Sequence, residues 1–271
     1  MFLLKVGEKM IYKIAKRLGF SLPHVAALVL HARKSKQYND LSYADEYKAL
    51  SELASKLGIT DGYSVDVAAS DGLNQSCTYD FFKDKRWSGL CVEMDPVKFS
   101  KMAYLYRSFK NMRLARVRVT PLNVVNLLLG NEVPKNFELL NLDIDSYDLR
   151  VVETILSSGF RPQIISMEVN EKIPSGIFFT VEYDDEHYWK GDHFYGCSLD
   201  AASEALKNNN YILYRLEWNN AIYVEGELAS ASKLKDLDVR NAYDEGYRNR
   251  SGRENYFPWN KDVDAWLCDD I

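Results

Sequence analysis

The sequence predicts an α/β fold, a largely parallel sheet with helices on both faces. Three observations predict it. From residue 42 onward, short β-rich runs alternate with helical stretches of about ten residues, the pattern of a parallel sheet wrapped by crossover helices. The 271 residues are 46% hydrophobic and 27% charged, enough to bury one large core. No Pro/Gly/Ser-rich linker, internal repeat or low-complexity tract divides the chain.

Residues 42–57 place Tyr43, Tyr47, Leu50, Leu53 and Leu57 on one helical face. Tyr63–Ala69 reads as the first strand, running into Ser70-Asp71-Gly72, with a helix over 73–84. Gly89–Glu93 is the second strand, followed by a helix over 96–109. Leu114–Val119 is the third, followed by a helix from Pro121 to Leu129. Phe137–Asp143 and Gln163–Glu168 are two further strands around a helix at 147–158. A helix at 198–208 leads to closing strands Tyr211–Leu216 and Ala221–Val224.

Ligands of such sheets bind beyond the carboxyl ends of the strands, so the residues there carry the functional reading. The first strand delivers Asp66 and a tight Ala-Ala-Ser-Asp-Gly turn opening a helix. Small residues let backbone approach a ligand, and a helix N-terminus offers free amide donors. The second strand ends on Glu93, followed by Met94. A carboxylate at that point can accept both hydroxyls of a ribose. A nicotinamide dehydrogenase would want GxGxxG in the first turn, where only Gly72 is glycine. A nucleoside ligand without a pyrophosphate fits better.

VDVAASDGLNQSCTYDFF, then WSGLCVEMDPVKFSKM, resembles the FkbM-like methyltransferases. Their first motif commonly reads DVGANDG and their second is of WxGxxVEP type. The resemblance continues through VTPLNVVNLL, FELLNLDIDSYDLRVVETIL and PQIISMEVN to HFYGCSLDAASEALKNNNY, covering about residues 60–225. It implies a Rossmann-like class I methyltransferase fold with a mostly parallel seven-stranded sheet. It also implies S-adenosylmethionine as methyl donor, held by Asp66, Ala68, Ser70, Gly72, Glu93, Met94 and Asp143. Ala68 stands where the family has glycine and Ser70 where it often has asparagine; a turn free of positive φ would tolerate the alanine.

Asp143 ends the fourth strand, and Glu168 with Asn170 closes the fifth. Their oxygens would suit Mg²⁺, Ca²⁺ or Mn²⁺ rather than zinc, and such an ion eases ionisation of an acceptor hydroxyl. The arrangement is similar to catechol-type O-methyltransferases, which place an Asp on the fourth strand and an Asp-Asn pair on the fifth. Ser146 stands where those enzymes have a lysine, so their base does not carry over. Asp145 is a further candidate for the chemistry; the alternative makes Asp143 and Asp145 a helix N-cap and an exposed loop carboxylate.

Residues 171–197 form an insertion rich in aromatics and acids that holds His187 and His193, expected as a lid. His193 is the first candidate base; His187 is either a ligand or a surface residue. Tyr188, Trp189, Phe194 and Tyr195 would stack on a sugar or form lid core.

The domain is thus expected over 41–226. A basic amphipathic helical extension spans 1–40, whose first 36 residues would contact a membrane surface or a partner, or pack on the core or a second copy of the chain. An aromatic-rich extension follows over 227–271. A net charge of −5 argues against nucleic acid. Four dispersed cysteines, no membrane-length apolar run and no clear signal-peptide cleavage site point to the cytoplasm. The reaction expected is O-methylation of a sugar-like acceptor, a nucleotide sugar or a glycan, assisted by Mg²⁺ or Mn²⁺. Alternatives are a metal-independent methyltransferase acting on a polyketide, peptide or phosphorus-containing acceptor, and a catalytically silent partner subunit.

Overall fold

A computed structural model of the chain describes residues 45–83, 86–187, 189, 193–257 and 260. The expected N-terminal helix, Tyr188, Trp259 and Cys268 lie outside the described residues. The strands are β1 (Gly62–Val67), β2 (Trp87–Val92), β3 (Met112–Ala115), β4 (Asn136–Leu142), β5 (Arg161–Glu168), β6 (Tyr211–Glu217) and β7 (Asn220–Glu225). They form one seven-stranded sheet in the order β3-β2-β1-β4-β5-β7-β6. β1 to β5 pair in parallel, and β7 runs antiparallel to β5 and β6. This is the class I methyltransferase arrangement. Strand order reverses between β1 and β4, so their carboxyl ends open a crevice.

Helices cover both faces because strand side chains alternate. Val65, Val67, Leu140, Leu142 and Met167 face one cluster, and Cys91, Leu139, Ile164 and Val224 face the other. The first face packs α4 (Val124–Gly130), α5 (Asp148–Ser157) and α6 (Leu199–Asn208). The second packs α1 (Glu46–Lys56), α2 (Tyr79–Lys83), α3 (Pro96–Tyr106) and α7 (Gly226–Ala231). α5 shows the pattern most clearly. Val151, Val152, Ile155 and Leu156 form one fully buried stripe, each side chain contributing about 1.5–3 kcal/mol of transfer free energy.

Two expected elements are shorter than their sequences suggest. The helix over 73–84 is confined to α2. The Asp71 carboxylate accepts from the amides of Leu73 and Asn74, and Ser76 Oγ accepts from those of Thr78 and Tyr79. These local bonds hold the backbone in turns, and Gln75 adopts φ +60°. β3 ends at Ala115, where its partner strand ends, and residues 116–119 leave the sheet toward the crevice.

The C-terminal residues pack on the β6–β7 side through α8 (Val239–Tyr243), a π-helical turn (Asp244–Arg248) and α9 (Arg253–Tyr256). Tyr243, Tyr247 and Phe257 enter the first core cluster. Gly246 lies so close to β6 that a Cβ there would stand 2.4 Å from the Leu216 carbonyl. The buried Glu217 pairs with Arg215 at 2.7 Å and with Arg250, and Arg250 also covers the Trp218 ring.

Candidate active site

A cavity of about 310 Å³ opens at the carboxyl ends of β1, β2 and β4. It brings together Asp66, Ala68, Ser70, Glu93, Met94, Asp143 and Asp145, seven of the residues singled out in sequence. Its other walls come from residues that sequence reading passed over, among them Asn141, Lys98, Arg118 and Asn220.

Asp66 is buried at the floor, where it accepts from Thr78 Oγ1 at 2.5 Å and Asn141 Nδ2 at 2.9 Å. Burial pushes its carboxyl up to about 6 against these hydrogen bonds. The turn above it has positive φ at Ala68 (+63°), Ser70 (+52°) and Gly72 (+75°). The condition under which alanine would be tolerated without strain is therefore not met: Ala68 occupies a left-handed conformation that glycine would adopt without strain. Gly72 is not among the cavity residues. It packs beneath the turn, where a Cβ would come within 2.9 Å of Tyr106, and its carbonyl accepts from the Tyr106 hydroxyl.

Glu93 is buried at the end of β2, and its Oε1 accepts from the Asp95 amide at 2.7 Å. That bond turns the carboxylate toward the cavity mouth, beside the exposed Met94. Asp95 caps α3 through the amides of Val97 and Lys98.

At the other end of the cavity the carboxylates of Asp143 and Asp145 converge with that of Glu168 behind the cavity wall, their oxygens within 4.8 Å of one another. Asp145 is at φ +53° and opens to solvent, while Glu168 is buried. Burial raises Asp143 and Glu168 well above the usual carboxylate range, and their acidic neighbours raise them further. Asp145 is raised too, first by burial, against the opposing charges of Lys98 and Lys172. Three carboxylates this close need a shared proton or a cation. Glu168 Oε1 accepts from Asn219 Nδ2 at 3.0 Å, while its buried Oε2 receives no hydrogen bond.

Asp148 is neither an exposed carboxylate nor a cap for its own helix. It is fully buried and holds the loop by accepting from the amides of Ile144 at 2.7 Å and Ser146 at 3.0 Å. Burial pushes it up to about 7.

Asn170 and His193 do not line the cavity. The Asn170 amide donates to the carbonyls of His193 and Tyr195, and its Oδ1 accepts from the Lys172 amide. Asn170 therefore organises the insertion, and the third carboxylate that gathers with Asp143 and Glu168 is Asp145. His193 does not line the cavity; the imidazole that does is His187, 2.6 Å from Ser146 Oγ. Sequence could not show that residues 183–187 bring His187, and not the expected His193, to the cavity wall. Arg118 holds them there by donating to the carbonyls of Asp185 and His187.

The rest of the insertion is tied to the C-terminal helices. Glu171 is buried and accepts from the Tyr195 hydroxyl at 2.7 Å and from Asn260 Nδ2 at 2.7 Å. Its carbonyl accepts from the Tyr243 hydroxyl. Lys172 is also buried, with its ammonium 4.7 Å from the Tyr195 ring centre. Nothing in the local sequence marked Asn219 or Asn220, since they reach the site only through the antiparallel return of β7.

No protein-family model matches the sequence, and no curated protein does. Solved structures match in fold. A SAM-dependent methyltransferase from Aquifex aeolicus is 13% identical over 71% of this chain and 97% of its own, with a TM-score of 0.42. An S-adenosylmethionine-dependent methyltransferase from Clostridium acetobutylicum is 10% identical over 69% of this chain and 92% of its own, with a TM-score of 0.43. The N-terminal domain of EvdMO1, crystallised with SAH and D-fucose, is 8% identical over 72% and 94%, with a TM-score of 0.45. At these identities and TM-scores the likenesses carry no argument about this chain. The sheet topology and the crevice at its reversal point define the class: this chain has the fold of class I S-adenosylmethionine-dependent methyltransferases.

Proposed function

We propose that this chain is an S-adenosylmethionine-dependent O-methyltransferase acting on a hydroxyl of a sugar-like acceptor, a nucleotide sugar or a glycan, with help from a divalent cation. One observation carries the reading: a single cavity joins a nucleoside-type end, Asp66, residues 68–70 and Glu93, to Asp143 and Asp145, whose carboxylates gather with that of Glu168. Glu93 would hold the ribose hydroxyls, Met94 would flank the base, and backbone of the turn would approach the methionine portion.

The cation would rest on Asp143, Asp145 and Glu168. Hard oxygen donors suit Mg²⁺ or Mn²⁺, and the buried Glu168 Oε2, which receives no hydrogen bond, is an atom such an ion would satisfy. The ion would polarise the acceptor oxygen and lower the cost of ionising it. The sugar preference rests on the aromatics of the insertion, where Trp189 and Phe194 are 40% and 59% exposed and offer flat faces to a ring.

The test is S-adenosylhomocysteine formation by the intact chain with a panel of nucleotide sugars, with and without EDTA. Activity lost in EDTA and restored by Mg²⁺ or Mn²⁺ is the expected result, with Asp145→Asn and Glu168→Gln each lowering turnover by about 100-fold or more. Full activity in EDTA would remove the cation. Turnover only with peptide, polyketide or phosphorus-containing acceptors would replace the sugar.

A further inference from the structure

The proposed reaction releases a proton from the acceptor hydroxyl, and a group at the cavity wall must take it. Among the described residues lining the cavity, His187 carries the only imidazole, the side chain whose proton affinity suits this task near neutral pH. We propose that His187 is the catalytic base, its ring oriented by Ser146 so that Nε2 receives the acceptor's proton. The proposal rests on the methyltransferase reading above and deepens it.

The ring is held from two sides. His187 Nδ1 lies 2.6 Å from Ser146 Oγ, and Ser146 is itself fixed. Its amide donates to Asp148 Oδ2 at 3.0 Å, and its carbonyl accepts from the Gly196 amide at 2.7 Å. The backbone of His187 is clamped as well. Its amide donates to the Asp184 carbonyl at 3.0 Å, and its carbonyl accepts from Arg118 at 2.9 Å. Tyr183 sits edge-on to Tyr147 with ring centres 4.9 Å apart. Ser146 directly follows Asp145, so the imidazole meets the loop that carries a carboxylate proposed to hold the cation.

Orientation decides the chemistry. With Nδ1–H donating to Ser146 Oγ, the Nε2 lone pair is left for a proton. In the step, the acceptor O–H bond breaks and its proton passes to Nε2. The oxygen lone pair forms the bond to the methyl carbon. The carbon–sulfur bond breaks, and its electron pair turns the sulfonium into the neutral thioether of S-adenosylhomocysteine. The imidazolium then releases its proton to water. The opposite tautomer, with Ser146 donating to Nδ1, would leave a proton on Nε2 and no base.

Long-range ¹H–¹⁵N spectra of the full chain labelled with ¹⁵N-histidine test this without any acceptor. The His187 signal is assigned by its loss in His187→Asn. In the neutral ring we expect a protonated Nδ1 and a bare Nε2. A protonated Nε2 overturns the proposal. Asparagine can keep a hydrogen bond to Ser146 but cannot take a proton. His187→Asn should therefore slow S-adenosylhomocysteine formation on the nucleotide-sugar panel by about 100-fold or more, with S-adenosylhomocysteine affinity within about twofold of the parent. A variant as fast as the parent also overturns it. Failure of the parent protein to bind S-adenosylhomocysteine would instead sink the methyltransferase reading, and this proposal with it.

Discussion

Ala68 holds a backbone angle that most residues with a Cβ avoid, at the point where the turn after β1 meets the cavity. A left-handed conformation costs such a residue about 1–2 kcal/mol, and glycine returns part of the gain through a freer unfolded chain. Ala68→Gly should therefore stabilise the protein by about 0.5–1 kcal/mol, read from urea denaturation; a destabilised variant would contradict this account of the turn. Asp66 yields a pH signature. Its carboxyl titrates near 3.8 in an unfolded chain and near 6 in the folded protein. The folded state thus holds a proton that the unfolded state has lost. The associated stability is fully present below 3.8 and disappears as pH rises through 6. Asn can keep both the Thr78 and Asn141 bonds, so Asp66→Asn should gain on the parent across that window and hold a constant advantage above it. A difference that does not vary with pH would contradict the burial of the charge. Acids at strand ends were legible in sequence because few other reasons put Asp66, Glu93, Asp143 and Glu168 after apolar runs. The sign of φ at residue 68 was not, since an alanine carries no mark of it.

Elements were legible where one strong period governed them and obscure where side chains competed with the backbone. β4, α5 and β5 were plain because continuous apolar runs flank a helical stripe. The 73–78 segment looked helical, yet Asp71 and Ser76 bond local amides and keep it in turns. The insertion and the C-terminal helices drew attention for their aromatics, but their joint role depends on long-range bonds. Glu171 meets Asn260 and Tyr243 across a wide gap in sequence, and Glu217 meets Arg250 likewise. Removing one partner of a buried ion pair leaves an uncompensated charge. Arg250→Ala should cost about 2–4 kcal/mol, less than the full penalty because Arg215 still reaches Glu217. A thermal denaturation midpoint equal to the parent's would show that this pair does not anchor the C-terminal helices.

The whole molecule divides its labour between the two ends of one crevice. The reversal of strand order between β1 and β4 creates the opening. On the proposed reading β1 and β2 would supply the nucleoside end, while Asp143 and Glu168 stand at the ends of β4 and β5. Among the described residues no helix is long and apolar enough to cross a membrane. Cys77, Cys91 and Cys197 carry free thiols, so among the described residues packing rather than cross-linking holds the sheet and its helices. The account stands on Glu93 and the 68–72 turn forming an adenosyl site. Calorimetric titration of the intact chain with S-adenosylhomocysteine tests that most directly. It should show one site per chain, lost in a folded Glu93→Ala protein. No heat of binding in the parent, or undiminished binding by Glu93→Ala, would contradict it.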